Sequence, residues 1–176
     1  MAEEAAPQDR IEASRAVAGS FAAELKEALT KEMAAGGPIA AASVCKQMAP
    51  EIAARASEKT GWEVGRTSLK PRNPANAPDG WEAETLQAFA ERKAAGEDPA
   101  KLEAWTIAEA GGRKQFRYMK AIPTASMCLA CHGKAVAPNV AATLRARYPG
   151  DRAVGYEAGD FRGLMWVELD RNLVTP

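Results

Sequence analysis

The 176-residue chain has one histidine, three cysteines, no net charge and no long apolar run. Its 23 Lys and Arg residues balance its 23 Asp and Glu residues. This balance argues against a nucleic-acid binder, because such a protein needs surplus cations to displace counterions from phosphates. No stretch of about 18 apolar residues occurs, so the sequence predicts no transmembrane segment. Three cysteines cannot close a complete disulfide framework, and the length suits one domain with its own core.

Helices are predicted first and strands later, an order that favours an α+β domain with an antiparallel sheet. An apolar repeat every four residues predicts a long amphipathic helix over 10–33, which Gly36-Gly37-Pro38 ends. A second helix is expected to run through Cys45 toward Ala56, with a kink near 46–50 because of Pro50. The other predicted elements are a strand at 63–69, a loop at 70–80, a helix at 81–95 capped by Asp79, hairpin strands at 102–109 and 114–122, a helix at 140–148 and a strand at 161–169.

The segment Cys128-Leu129-Ala130-Cys131-His132 is an attachment sequence for c-type haem. Two thiols three residues apart can add to the two vinyl groups of one porphyrin, and the adjacent imidazole then binds the iron. A thioredoxin-like cysteine pair would follow a strand in a βαβ unit, which the pattern lacks. A zinc site wants four ligands, and Cys45 is the only further Cys or His. The sequence therefore predicts covalent haem c, held by Cys128 and Cys131, with His132 as the proximal iron ligand.

The second axial position of the iron has several candidates, because a chain with one histidine cannot supply two. Cys45 would bind as a thiolate and lower the reduction potential relative to methionine. From spacing alone, Cys45 is better understood as a small apolar residue on an alanine-rich helix face, which is how free cysteines usually behave. Lysine, water, a diatomic gas or another subunit are further alternatives. The methionines available are Met48, Met119, Met127 and Met165.

The segment from Arg66 to Asn76 has two interpretations. Arg66, Lys70 or Arg72 would pair with haem propionates, because guanidinium groups match carboxylates. Alternatively, its Asn and Pro residues fix a surface turn and the basic side chains are solvated. Glu82 and Glu84 are expected to be carboxylates of a first helical turn and not an acid–base pair. Six aromatic residues are expected to pack in the sheet and core: Trp62, Trp81, Trp105, Phe116, Tyr118 and Trp166.

Several segments together resemble a known family. They are Ala-Ser-Val-Cys45, Gly65 to Lys70, Arg72 to Asn76, Trp81-Glu82 and Cys128 to Gly133, in that order. Over roughly 39–170 this pattern resembles exported c-type haem domains with a PAS-like fold, found as free periplasmic proteins and as modules of bacterial sensor proteins. The resemblance implies haem c on Cys128, Cys131 and His132, with Cys45 as the distal ligand. It also implies a PAS-like central antiparallel sheet with packed helices.

The resulting hypothesis divides the chain into an N-terminal helix and connection (1–38) and a haem-binding PAS-like domain (39–176). The chain would be a mono-haem c-type cytochrome that acts as a redox or gas-responsive sensor module, not an enzyme. A periplasmic electron-transfer cytochrome is the alternative. A small haem peroxidase is a weaker one, because no second histidine exists to act as the distal acid–base.

Location and partners follow from the same hypothesis. Haem c is attached outside the bacterial cytoplasm, so a periplasmic or thylakoid-lumenal protein is expected. The acidic start of the chain shows no secretory signal, and we interpret Met1 as a start placed on a mature, exported chain. A redox or signalling protein is the expected partner. A homodimer through the N-terminal helix is a further expectation.

Overall fold

The computed structural model describes residues 8–170, except for the side chains of Ala110, Leu169 and Asp170. Residues 1–7 and 171–176, where the expected segments 1–38 and 39–176 begin and end, lie outside the described residues. The helices are α1 (Gln8–Ser43), α2 (Ala49–Thr60), α3 (Gly80–Ala94), α4 (Leu129–His132) and α5 (Pro138–Arg147). The strands are β1 (Glu63–Thr67), β2 (Glu103–Ala110), β3 (Arg113–Pro123) and β4 (Phe161–Asp170).

The four strands form one antiparallel sheet in the order β1-β4-β3-β2. Gly111 and Gly112 connect β2 to β3 with φ of 58° and 76°, a backbone that favours glycine at both positions of the turn. The sheet and the long N-terminal helix confirm the predicted α+β class. Among the described residues, no helix is long and apolar enough to cross a membrane.

The N-terminal helix packs on the sheet and shares its core. Phe21 and Leu25 of α1 are buried in one cluster with Phe116, Tyr118 and Val167 of the sheet. The helix is interrupted at the predicted place, because Gly36 and Gly37 have non-helical backbone angles. The helical path resumes at Pro38, whose missing N–H costs little at the start of a helix.

The smaller sequence predictions can be compared with the structure. The six aromatic residues all lie in or against the two core clusters of the sheet, as predicted. Asp79 and Glu82 form the capping box of α3, which confirms Asp79 as the cap and Glu82 as a first-turn carboxylate. The loop at 70–80 was expected to hold no helix, but Pro74–Asn76 forms one 3-10 turn. The Asn73 side chain, which accepts from the Ala75 N–H, stabilises it.

Candidate functional site

The Cys-Leu-Ala-Cys-His segment lies on two short helical turns between β3 and α5. A 3-10 turn (Ser126–Cys128) leads into α4, which ends at His132. Cys128 and Cys131 are both free and half-buried, and their three-residue spacing puts them on one face of the turn. A Cβ at Gly133 would lie 2.6 Å from the carbonyl oxygen of Leu129, so the chain leaves this turn only through a glycine.

The His132 ring is held in one tautomer by the backbone. Its Nδ1 lies 2.7 Å from the carbonyl oxygen of Ala153. A carbonyl oxygen only accepts, so Nδ1 carries the proton and donates, which leaves the lone pair of Nε2 free. Burial, with a further contribution from the cations of Arg162 and Arg72, lowers the pKa of His132 to about 3. The ring is therefore neutral at neutral pH, the form in which histidine binds metals.

Cys45 lies in a widened helical turn between α1 and α2. Val44–Met48 is π-helical, and the Ala49 N–H donates to the carbonyl of Val44 five residues earlier. Pro50 has no N–H, so it cannot bond to the carbonyl of Lys46 as an α-helix requires. The helix is irregular close to 46–50, where a kink is predicted, and the irregularity is this π turn over Val44–Met48. Such turns are frequent at functional sites.

The fold brings Cys45 and the α4 motif to one place. The Cys131 sulfur contacts the carbonyl of Pro38 at 4.0 Å, so α4 lies against the second half of α1. Burial raises the pKa of the Cys131 thiol, and a charge at Cys45 raises it further. Tyr148 of the neighbouring segment donates to the carbonyl of Ala42 at 3.4 Å. Cys45, on the π turn that follows α1, therefore lies close to Cys131 of the attachment motif.

Arg72 is a clamp and not a solvated side chain. Its guanidinium is buried and pairs with Asp151 at 3.0 Å. It also donates to the carbonyls of Cys131 and Ala153. Arg72 thus joins α4 to the segment that orients His132, which identifies a positioning contact that the solvated-turn interpretation did not include.

Two other predicted basic residues have fewer partners. The Lys70 ammonium lies 3.4 Å from the carbonyl of Val154 and 5.1 Å from the centre of the Tyr156 ring. The Arg66 side chain is half-buried, makes no hydrogen bond or ion pair with any residue in 8–170, and lies near enough to His132 to lower its pKa. Both remain candidates for holding an anion.

Arg162, at the start of β4, belongs to the same group and was not predicted. It donates to Ser68 Oγ at 3.1 Å and stacks on Tyr156 at 5.2 Å, but it pairs with no carboxylate in the described part of the chain. Burial lowers its pKa. The available sequence signal was its alternation with Leu164 and Trp166 along one face of β4.

The charges of this region do not balance among themselves. Its cations are Arg66, Lys70, Arg72 and Arg162, and Asp151 is the carboxylate that pairs with one of them. Arg66, Lys70 and Arg162 are left without a carboxylate partner among the described residues. Arg66 and Arg162 are half-buried, and because burying a charge without a partner is costly, the arrangement favours an anionic ligand.

A cavity of about 510 Å³ adjoins Cys45. Cys45 and Arg66 line it together with Asn76 and Trp166. Its volume lies within the range of cofactor sites. The cavity therefore gives room for a group beside Cys45. Its lining includes the carboxylates of Asp79, Glu82 and Glu168 and does not include the attachment motif.

Of the four methionines considered as iron ligands, two lie in the core of the sheet and a third is exposed. Met119 and Met165 are buried in the two core clusters of the sheet, and Met48 is 36% exposed on the π turn. Met127 is half-buried beside Cys128. Within residues 8–170, no three His, Cys, Asp or Glu side chains are grouped so that they could hold a metal ion by themselves.

Comparisons with known proteins agree on one family. The family model described as Tll0287-like matches residues 3–169. The chain is similar to a solved structure titled "Crystal structure of the cyanobacterial heme-protein Tll0287", with a TM-score of 0.56 and 30% identity over 70% of each chain. No curated protein matches the chain. Because the family model covers nearly all of it, the chain belongs to the Tll0287-like family.

Proposed function

We propose that the chain carries one haem c, linked to Cys128 and Cys131, with His132 and Cys45 as axial ligands. The proposal depends on the protonation state of His132. Its Nδ1 donates to the carbonyl of Ala153, and Nε2 has a free lone pair on a neutral ring. A proximal histidine needs this tautomer and this kind of backbone support. The solved relative is described as a heme-protein, which supports the same cofactor here.

The donor set and the charges of the region fit this group. The two propionates of a haem are anions, and a Cys45 thiolate would be a third. Arg66 and Arg162 are half-buried, have no carboxylate partner among the described residues and would pair with the propionates, while Lys70 is exposed at the surface. Arg72 would act indirectly, since it holds α4 and the Ala153 carbonyl in place.

The role we propose is a redox or gas-responsive sensor module. When bound, the iron supplies a centre that changes oxidation state and exchanges a ligand. The π turn under Cys45 supports a functional role for this residue as the distal ligand, because turns of this kind are frequent at functional sites. The resemblance to PAS-like sensor domains points the same way. We infer attachment outside the cytoplasm and a redox or signalling protein as partner.

Spectroscopy of the matured protein tests the ligands. Optical and EPR spectra would be recorded for ferric and ferrous wild type and for Cys45→Ala, with and without CO or NO. Loss of the thiolate signature in Cys45→Ala is expected. Met48→Ala is the matched control, since Met48 lies on the same π turn but is exposed. A ferric spectrum unchanged in Cys45→Ala would show that Cys45 is not a ligand.

The same spectra separate a sensor from an electron carrier. For the sensor we expect the ferrous wild type to lose its Cys45 bond and take up CO. A carrier keeps both ligands in both states and ignores CO. Six-coordinate spectra that CO does not change would overturn the sensor role and favour the carrier.

A further inference from the structure

The surface beside His132 has two exposed apolar side chains next to two exposed cations. Leu69 is 43% exposed and Val154 is 44% exposed. The Lys70 ammonium lies 3.4 Å from the Val154 carbonyl, and the Arg152 N–H lies 3.3 Å from the Pro71 carbonyl. These contacts bring the two segments side by side. We call Leu69, Lys70, Arg152 and Val154 the basic patch.

The basic patch lacks acidic residues that would neutralise it. Lys70 and Arg152 make no ion pair with any residue in the described part of the chain. Asp151 is adjacent, but it accepts from the buried Arg72. Glu157, on the same loop, pairs with Lys134 at 2.6 Å. A partner that covers this surface would therefore need negative charges opposite Lys70 and Arg152.

The patch is bonded directly to His132 through the backbone. Ala153, between Arg152 and Val154, is fully buried and accepts from His132 Nδ1 at 2.7 Å. The Tyr156 N–H donates to the His132 carbonyl at 2.9 Å. One hydrogen bond and one peptide unit thus separate the His132 ring from Val154 on the surface. This is a short route for an electron between a partner and a group bound to His132.

We propose that the basic patch is the docking surface for an acidic one-electron redox protein. The inference rests on the proposed haem. One electron passes and no atom is transferred: the iron gains the electron that the partner loses, or the reverse. Two apolar side chains beside two cations suit a small, transient interface of the kind that redox partners form. Lys70 and Arg152 would steer the encounter at long range.

Electron-transfer rates with charged reagents test the role of Lys70 and Arg152. Ferrous holoprotein would be oxidised by hexacyanoferrate(III), an anion, and by tris(bipyridine)cobalt(III), a cation, at low and high salt. We expect the Lys70→Glu/Arg152→Glu double variant to react about tenfold more slowly with the anion at low salt and faster with the cation. The difference should vanish at high salt. Lys59→Glu/Lys101→Glu, with the same change of net charge on other elements, should lie close to wild type.

A protein donor tests the apolar contacts. The rate at which a reduced, acidic flavodoxin reduces the ferric holoprotein would be compared for wild type and Leu69→Ser/Val154→Ser. We expect a several-fold loss with flavodoxin and no change with hexacyanoferrate(III). Suppose that haem is bound, that Lys70→Glu/Arg152→Glu reacts at the same rates as Lys59→Glu/Lys101→Glu, and that Leu69→Ser/Val154→Ser reacts with flavodoxin as fast as wild type. The docking surface is then wrong and the proposed function stands. If the matured chain binds no haem, both fail.

Discussion

The guanidinium of Arg162 illustrates how a single side chain affects the candidate site. In the matured holoprotein we expect Arg162→Gln to lower the midpoint potential. A nearby cation stabilises the more negative, reduced state of the centre, and its loss favours the oxidised state. We expect a fall on the order of one tenfold change in the equilibrium constant, about 60 mV for one electron. Redox titration with spectroscopic detection measures it.

Two control variants accompany this titration. Arg162→Lys keeps the charge and should restore most of the potential. Arg92→Gln removes an exposed cation that pairs with Glu97 on another element, and should leave the potential unchanged. If Arg162→Gln and Arg92→Gln had the same midpoint potential, Arg162 would be shown not to lie close enough to the iron to affect it.

Gly65 shows a second residue-scale constraint, in the sheet next to the cavity. A Cβ at Gly65 would lie 2.4 Å from Cζ2 of Trp166, its partner on β4. We expect Gly65→Ala to lower the free energy of unfolding by roughly 1–3 kcal/mol, since the ring must move. Gly19→Ala, at an exposed helical position with nothing nearby, should raise it by roughly 0.5–1 kcal/mol. If Gly65→Ala and wild type had the same free energy of unfolding in urea, the Trp166 ring would be shown to move aside without cost.

At the scale of elements, the π turn between α1 and α2 sets the direction of Cys45. Replacing Pro50 by Ala returns an N–H and allows this segment to wind as α-helix. Such rewinding turns Cys45 by about 100° relative to α2. We expect Pro50→Ala to fold and to lose part of the Cys45-dependent ferric spectrum. Pro138→Ala, at the start of α5, is the control. A wild-type spectrum in Pro50→Ala would show that the turn does not direct the ligand.

The elements that local patterns define were predictable, and the contacts between them were not. The apolar repeat of α1, the capping Asp79 and the Gly111-Gly112 turn follow from short-range physical rules, and the structure confirms all three. The Cys-Leu-Ala-Cys-His motif is also local. In contrast, Arg162, Ala153 and Asp151 contact the site through pairings with residues distant in the chain. The alternation along β4 indicates the face on which Arg162 lies but not the residues that it contacts, so Arg162 was missed and the clamp role of Arg72 was not foreseen.

At the scale of the whole molecule, the carboxylate of Glu103 joins the N-terminal helix to the sheet. Glu103 of β2 accepts from Arg15 of α1 and from the Tyr118 hydroxyl of β3. The hydrogen bond from Arg15 is the main reason that the pKa of Glu103 is lowered to about 2. A carboxyl with a lowered folded pKa stabilises the protein above its unfolded pKa, near 4.5, and this contribution is lost as the pH falls toward 2.

We therefore expect Glu103→Gln to unfold more easily at neutral pH and to lose less further stability between pH 4.5 and pH 2 than wild type. Urea midpoints measured across this range provide the comparison. Glu91→Gln, at an exposed position of α3, should follow the wild-type curve. Parallel curves for Glu103→Gln and wild type would show that this contact does not join α1 to the sheet.

The covalent attachment of haem to this chain is the central claim, and one measurement tests it most directly. The chain would be matured by a haem-attachment system and extracted with acidified organic solvent. Its intact mass would then be measured by mass spectrometry. We expect the protein to keep its colour and the mass of one haem. The Cys45→Ala variant should do the same, and Cys128→Ala/Cys131→Ala should lose the pigment. A colourless wild type, or pigment that the solvent removes from it, would contradict the account.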